Sequence, residues 1–290
     1  MDKKRFYKNG SDFRTALEAR LNAISKADRI ALERLRKKTA FDRFLARIFS
    51  KNEASAGMWI LKGGYSLGVR FDRKARYTGD VDLSLQKTGK PTPESVHGML
   101  FSFSERNLQD FFEFRVGTST AVLGNAVYAG WRYPVDARCG GRTFTKFSVD
   151  VAVGDALVSR PDFIKGSNLL EFAGIDAVSV PVYPKEQQFA EKLHSYTFPR
   201  ELRVLSRIED LLDMSLLIES GMPEAGLVLE AVRATFKQRN THLLPEVLPE
   251  PPLSWEEGYV DMAETCGVKA KTPLSALKTL RKYWEAVVSR

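Results

Sequence analysis

The stretch from Ile60 to Leu85 constrains this chain more than any other. An apolar strand, Met58 to Leu61, runs into Lys62-Gly63-Gly64-Tyr65-Ser66-Leu67 and a predicted helical turn. Glycines at such a turn let backbone N–H groups approach a ligand closely, and a helix N-terminus favours anionic oxygens. After a short basic run comes Tyr77-Thr78-Gly79-Asp80-Val81-Asp82-Leu83-Ser84-Leu85, whose alternation predicts a strand. Side chains i and i+2 of a strand share a face, so Asp80 and Asp82 project together. Two carboxylates on one face repel each other unless a cation lies between them. Mg²⁺ held by one or two carboxylates plus substrate phosphates is the ordinary arrangement. A lone Gly-Gly is usually a turn, and a lone Asp-x-Asp is usually a solvated strand face. In this order and context they point together to nucleotidyl transfer. Gly63, Gly64 and Ser66 are then candidates to hold a triphosphate, with Thr78 close to the phosphates and Lys62 neutralising their charge.

At 290 residues the chain is long enough for a substantial core in one or two domains. No apolar run reaches membrane-spanning length, and Met-Asp-Lys-Lys-Arg-Phe lacks a signal-peptide core, so a cytoplasmic protein with no membrane partner is expected. Two cysteines, Cys139 and Cys266, make neither a disulfide framework nor a zinc site. The net charge of +8 sits at one end: residues 1–50 hold 14 Lys and Arg against 6 Asp and Glu, and the remainder balances. Such an arm suits an anionic partner, nucleic acid first, or else forms a solvated basic helix face.

Along the chain, Ser11 and Asp12 are placed to cap a helix carrying Phe13, Leu17, Leu21 and Ile24, and a second helix is predicted from Ala27 to Ser50 with Arg34, Arg36, Lys37 and Lys38 on its outer face. Pro93 to Gln109 reads as a helix and Phe111 to Val116 as a strand. Trp131–Arg138 and Thr143–Val153 read as a hairpin turning at Cys139-Gly140-Gly141-Arg142. In its second strand Asp150, between valines, is a candidate third metal ligand beside Asp80 and Asp82, with Asp136 and Asp155 as rivals. From Lys185 onward the pattern is helical. Arg207, Asp210 and Asp213 recur at i, i+3 and i+6 on one helix, and Lys192 lies on the helix before it. Lys192 is a candidate to reach a phosphate, and Asp210 to position Lys192 or Arg207 or to accept a proton. The competing reading is a set of helical ion pairs worth about 0.2–0.5 kcal/mol each.

With these residues in view, the chain resembles the AbiEii/AbiGii group of bacterial nucleotidyltransferase toxins, MenT-like members included, within the DNA polymerase beta-like nucleotidyltransferase superfamily. Four stretches carry the resemblance: Lys62-Gly63-Gly64-Tyr65-Ser66-Leu67, Thr78-Gly79-Asp80-Val81-Asp82, Phe189-Ala190-Glu191-Lys192-Leu193-His194, and Arg207-Ile208-Glu209-Asp210-Leu211-Leu212-Asp213. Glu209 departs from the Lys that many members carry there.

The resemblance implies an α/β (α+β) fold: a polymerase-beta-like lobe with a mixed sheet over residues 1–165, and a mainly helical lobe over 166–290 that completes the active-site cleft. It implies catalytic roles for Asp80, Asp82, Lys192 and Asp210, nucleotide contacts from Lys62, Gly63, Gly64, Ser66, Thr78 and Arg207, and Mg²⁺ (or Mn²⁺) on Asp80, Asp82 and Asp150. It further implies an NTP substrate, often a pyrimidine, the acceptor end of tRNA as target, and an antitoxin from the same operon. Modification of a protein or small molecule, and a non-catalytic RNA-binding module, are the competing functions.

Overall fold

The computed structural model describes residues 7–49, 58–86, 89–122, 130–199 and 207–289. The polar connection expected at 52–57, part of the turn at 86–92 and the start of the helix expected from residue 203 lie wholly or partly outside them. The fold is mixed α/β, as expected, and the chain divides into two compact units: residues 1–61, 78–154 and 163–182 form one, and residues 62–77, 155–162 and 183–290 the other.

The first unit is built on a mixed sheet. Its strands are β1 (Trp59–Lys62), β2 (Asp80–Leu85), β3 (Phe112–Val116), β4 (Ala121–Val122), β5 (Gly130–Cys139), β6 (Arg142–Val153), β7 (Asp162–Lys165) and β8 (Ser179–Val182), in the order β3-β5-β6-β2-β1-β8-β7 with β4 on β5. Strands β2 and β6 pair in parallel, as do β1 and β8, whereas β5 runs antiparallel to β3 and β6. The hairpin between β5 and β6 turns at Gly140 and Gly141, both with positive φ (57° and 76°), the two-residue geometry that favours glycine. A Cβ at Gly140 would also stand 2.5 Å from the Gly10 carbonyl oxygen.

Helices α1 (Gly10–Asp28), α2 (Leu32–Phe49) and α4 (Pro93–Ser104) belong to this unit. Val81, Leu83, Val149, Val151 and Tyr133 are fully buried on one face of the sheet. Helix α2 covers that face through Phe41 and Phe44, whose rings lie 4.8 and 5.8 Å from Phe147. The helix ends differ from expectation for local reasons. The Asn9 side chain, not Ser11 or Asp12, caps α1 by accepting the Asp12 N–H, and left-handed Arg29 separates α1 from α2. Helix α4 stops short of Gln109 because the Asn107 side chain takes the Gln109 N–H and Gln109 turns left-handed. Of the basic face of α2, Arg36 is locked in a fork with Glu18 and also pairs with Glu33.

The second unit is helical: α3 (Gly63–Phe71), α5 (Lys185–Thr197), α6 (Ile208–Glu219), α7 (Ala225–Arg239), α8 (Glu256–Thr265) and α9 (Pro273–Val288). Its core gathers Leu67, Phe189, Leu193, Leu211, Leu212, Leu217, Val228, Val232, Tyr259, Leu280 and Trp284. Thr272 caps α9 in a reciprocal box with Ser275, followed by Pro273 at the first helical position. No described helix is long and apolar enough to cross a membrane.

A histidine in this core sets an acid limit on stability. The His194 ring is buried 4.9 Å from the Phe236 ring and 4.6 Å from the His242 ring. Burial first, then the positive charges of Arg239, His242 and Arg207, push its pKa from 6.5 down to about 3. Below pH 6.5 the unfolded chain therefore takes up a proton that the folded chain refuses, so stability falls as pH drops toward 3. His194→Gln is expected to flatten the fall in Tm between pH 6.5 and pH 4. An unchanged slope in thermal melts across that range would show that His194 is not the group responsible.

Candidate functional site

The functional residues fall into two groups, one in each unit. In the first unit the group is drawn by strand register. Asp82 on β2 lies opposite Asp150 on β6, which lies opposite Arg132 on β5. One step along, Asp80 pairs with Ser148, which pairs with Pro134. Paired residues share a face, so the side opposite the valines presents Asp80, Asp82 and Asp150 among small or polar neighbours. The Thr78 hydroxyl donates to Asp80 Oδ1 at 2.9 Å. Asp136, the rival candidate on β5, is opposite Lys146, with Arg138 3.9 Å away. Asp155, the other rival, belongs to the second unit.

Two features around these carboxylates were not read from sequence. The Arg132 guanidinium grips Asp150 in a two-pronged bond, Nε to Oδ1 at 2.7 Å and Nη2 to Oδ2 at 2.6 Å, and its Nη2 lies 3.6 Å from Asp80 Oδ2. The hydrogen bond to Asp150, which outweighs partial burial, together with the charges of Asp150, Asp80 and Asp82, raises the Arg132 pKa further. The second feature is Lys37 of α2, whose Nζ would stand 3.7 Å from a Cβ built on Gly79, the residue before Asp80. The sequence named Lys37 only as one of four basic residues on the outer face of its helix.

In the second unit Lys62, Gly63, Gly64 and Ser66 form the turn into α3. Gly63 takes φ 62°, which a Cβ would strain. Helix α3 starts with no side-chain cap, so its first N–H groups are not taken by a capping oxygen. Ser66 is fully buried; its hydroxyl donates to the Gly63 carbonyl at 2.7 Å and accepts from Gln188 Nε2 at 2.8 Å. Lys62 is also buried, with its ammonium 2.5 Å from Asp155 and 3.1 Å from Glu191. Burial alone would lower the Lys62 pKa, but Asp155 and Glu191 more than reverse this and raise it. Arg239 binds Glu191 at 2.9 Å, and Tyr183 donates to Asp155 at 2.9 Å.

The two helical motifs meet in the same unit. Lys192 on α5 places its ammonium 3.0 Å from Asp210 and 2.8 Å from Asp213 on α6. Arg207 holds the other Asp210 oxygen at 2.9 Å. Arg76 bridges Asp213 at 3.2 Å and Glu209 at 2.9 Å. Against the cost of burial, Asp213 and Asp210 raise the Lys192 pKa, so Lys192 is a fixed cation rather than a proton acceptor. Asp213 and Arg76 are thus members of this cluster. Asp213 stood in the helical motif without an assigned role, and nothing in the sequence singled out Arg76 within its basic run.

The sheet unit thus carries the Asp-x-Asp strand, and the helical unit carries the Lys192–Asp210 pair. The family model for the AbiEii nucleotidyltransferase toxin of type IV toxin–antitoxin systems matches residues 43–289, and the chain belongs to this family. It is therefore a nucleotidyltransferase toxin of that type, with an antitoxin as partner. Its fold is similar to that of MenT4, a nucleotidyltransferase toxin of Mycobacterium tuberculosis H37Rv, at 16% identity and TM-score 0.54, covering 95% of this chain and 98% of the other. A polyadenylate synthase of Megavirus superposes over 84% of this chain and 40% of its own at 10% identity and TM-score 0.26. No curated protein matches the sequence.

Among the described residues no group of three or more His, Cys, Asp or Glu side chains is arranged to hold a metal ion. The donor chemistry nevertheless fits a hard divalent cation: Asp80 and Asp82 offer carboxylate oxygens on one face, and Mg²⁺ needs only one or two such ligands when phosphates supply others.

Proposed function

We propose that this toxin transfers an NMP from an NTP, preferentially a pyrimidine, to the 3′ end of tRNA and so blocks translation, in a reaction dependent on Mg²⁺ (or Mn²⁺). The observation that carries this reading is the pair Asp80 and Asp82 on one sheet face, with the Lys37 ammonium beside Gly79 at the start of the same strand. An acid pair suits a metal-bound triphosphate, and a neighbouring cation on a basic helix suits a polyanionic acceptor.

In this reading the acceptor 3′-oxygen attacks the α-phosphorus, the α–β phosphoanhydride bond breaks, pyrophosphate leaves and the hydroxyl proton is released to solvent. A divalent ion held by Asp80 and Asp82 supplies Lewis-acid charge at the phosphate oxygens when bound. Thr78 orients Asp80. The N–H groups at Gly63 and Gly64 bind phosphate oxygens, while Ser66 braces the Gly63 turn. Lys62 and Lys192 contribute fixed positive charge, and Asp210 and Arg207 position Lys192.

The test is incubation of the protein with each labelled NTP, Mg²⁺ and a total-cell lysate, then with purified tRNA. Label is expected in tRNA, from CTP or UTP, and lost when EDTA is added. Label that enters protein or a small molecule and leaves tRNA unmarked would refute the tRNA assignment.

A further inference from the structure

The polar face of the sheet holds a cation of its own. Arg132, Asp150 and Asp82 stand in register on three successive strands, and both Asp150 oxygens are taken by the Arg132 fork at 2.7 and 2.6 Å. The same guanidinium reaches to 3.6 Å from Asp80. A planar fork on a carboxylate is the strongest and most directional ion pair that side chains make. Three carboxylates and one guanidinium leave this face with a net charge of −2. One divalent ion balances that charge. A second ion on Asp150 would lie next to a guanidinium pinned to the same carboxylate, and like charges would repel.

We propose that Arg132 stands in for a second metal ion: the site takes a single divalent cation, on Asp80 and Asp82, and Asp150 serves to hold Arg132 rather than to ligate metal. This rests on the reading of Asp80 and Asp82 as the metal pair. Arg132 is a positioning residue here, and its permanent charge neutralises the face without an exchangeable ion. It also follows that activity tracks the occupancy of one ion, with no dependence on a second, weaker one.

The experiment counts bound Mn²⁺ on nucleotide-free protein titrated to saturation, so that a site short of its phosphate ligands still fills, by the loss of the free-ion electron paramagnetic resonance signal, with circular dichroism confirming that each variant is folded. The wild type is expected to bind one Mn²⁺. Arg132→Gln is expected to bind two, because Asp150 is released, and Arg132→Gln/Asp150→Asn to return to one. Arg132→Lys, which keeps the charge, is expected to remain at one, and Arg132→Met, expected to bind two, serves in place of the Gln variant if that does not fold. A count of two in the wild type, or of one in folded Arg132→Gln, overturns the proposal alone. A count of zero in the wild type, or an ion retained by Asp80→Asn/Asp82→Asn, overturns the metal pair and the proposal with it.

Discussion

Asp80→Asn is expected to reduce nucleotide transfer by roughly a thousandfold while leaving the melting temperature unchanged or slightly higher. The loss follows from what the carboxylate is placed to do. A metal-held phosphate contributes several kcal/mol of transition-state stabilisation, and each 1.36 kcal/mol is about tenfold in rate. The stability follows from where the carboxylate sits. Its side chain is 36% exposed, it shares a face with Asp82 and Asp150, and removing one of three like charges relieves repulsion. Asn keeps an oxygen to accept the Thr78 hydroxyl. Asp136→Asn, a carboxylate on β5 opposite Lys146, is the matched control and should retain transfer. Labelled-NTP incorporation and thermal melts on the three proteins check this. Near-normal incorporation by Asp80→Asn would remove the acid pair from the chemistry.

The parts of this site that local sequence discloses are those governed by local rules. A period of two put Asp80 and Asp82 on one face, and Gly63 marks the turn because its φ of 62° needs a glycine. What local sequence does not disclose is register. Asp150 and Asp136 both alternate with apolar residues along the hairpin, and only the pairing of β2 with β6 sets Asp150 against Asp82. Arg132 is invisible for the same reason, since its meaning comes from the strand opposite. Lys62 shows a different limit. Its position before Gly-Gly suggests a phosphate ligand, yet its buried partners Asp155 and Glu191 lie 93 and 129 residues away in the chain. The helical motifs were legible as a charged cluster, but whether Lys192 sits on Asp210 alone or between Asp210 and Asp213 depends on how α5 packs on α6. Helix ends were displaced by a few residues where single side chains, Asn9 and Asn107, captured a backbone N–H.

Asp110→Ala is expected to be the most destabilising single substitution in the sheet unit, at about 3–5 kcal/mol, the cost of leaving buried charges uncompensated. Asp110 is held by Arg43 Nε at 2.7 Å and by Arg47 at 2.8 and 2.9 Å, and it accepts the Phe112 N–H at 3.2 Å. The Arg47 and Asp110 side chains are each 1% exposed. Without the carboxylate, two guanidinium groups on successive turns of α2 face each other in the core. For a chain of this size the loss corresponds to a fall in Tm of roughly 10 °C, at about 2–4 °C per kcal/mol. Acid acts on the same triad. Burial alone would raise the Asp110 pKa, but the bonds and charges of Arg47 and Arg43 outweigh it and hold the group below its ordinary 3.8. Its stabilisation is therefore complete above that value and is lost as pH falls through the lower folded value. The Ala variant should lack this part of the acid transition. A triple change, Arg43→Met, Arg47→Met and Asp110→Leu, separates the cost of breaking the triad from its net worth, because apolar replacements of similar volume leave no buried charge. It should recover most of the stability lost in Asp110→Ala. If the single and triple variants melt equally low, the loss comes from packing around α2 rather than from unpaired charge.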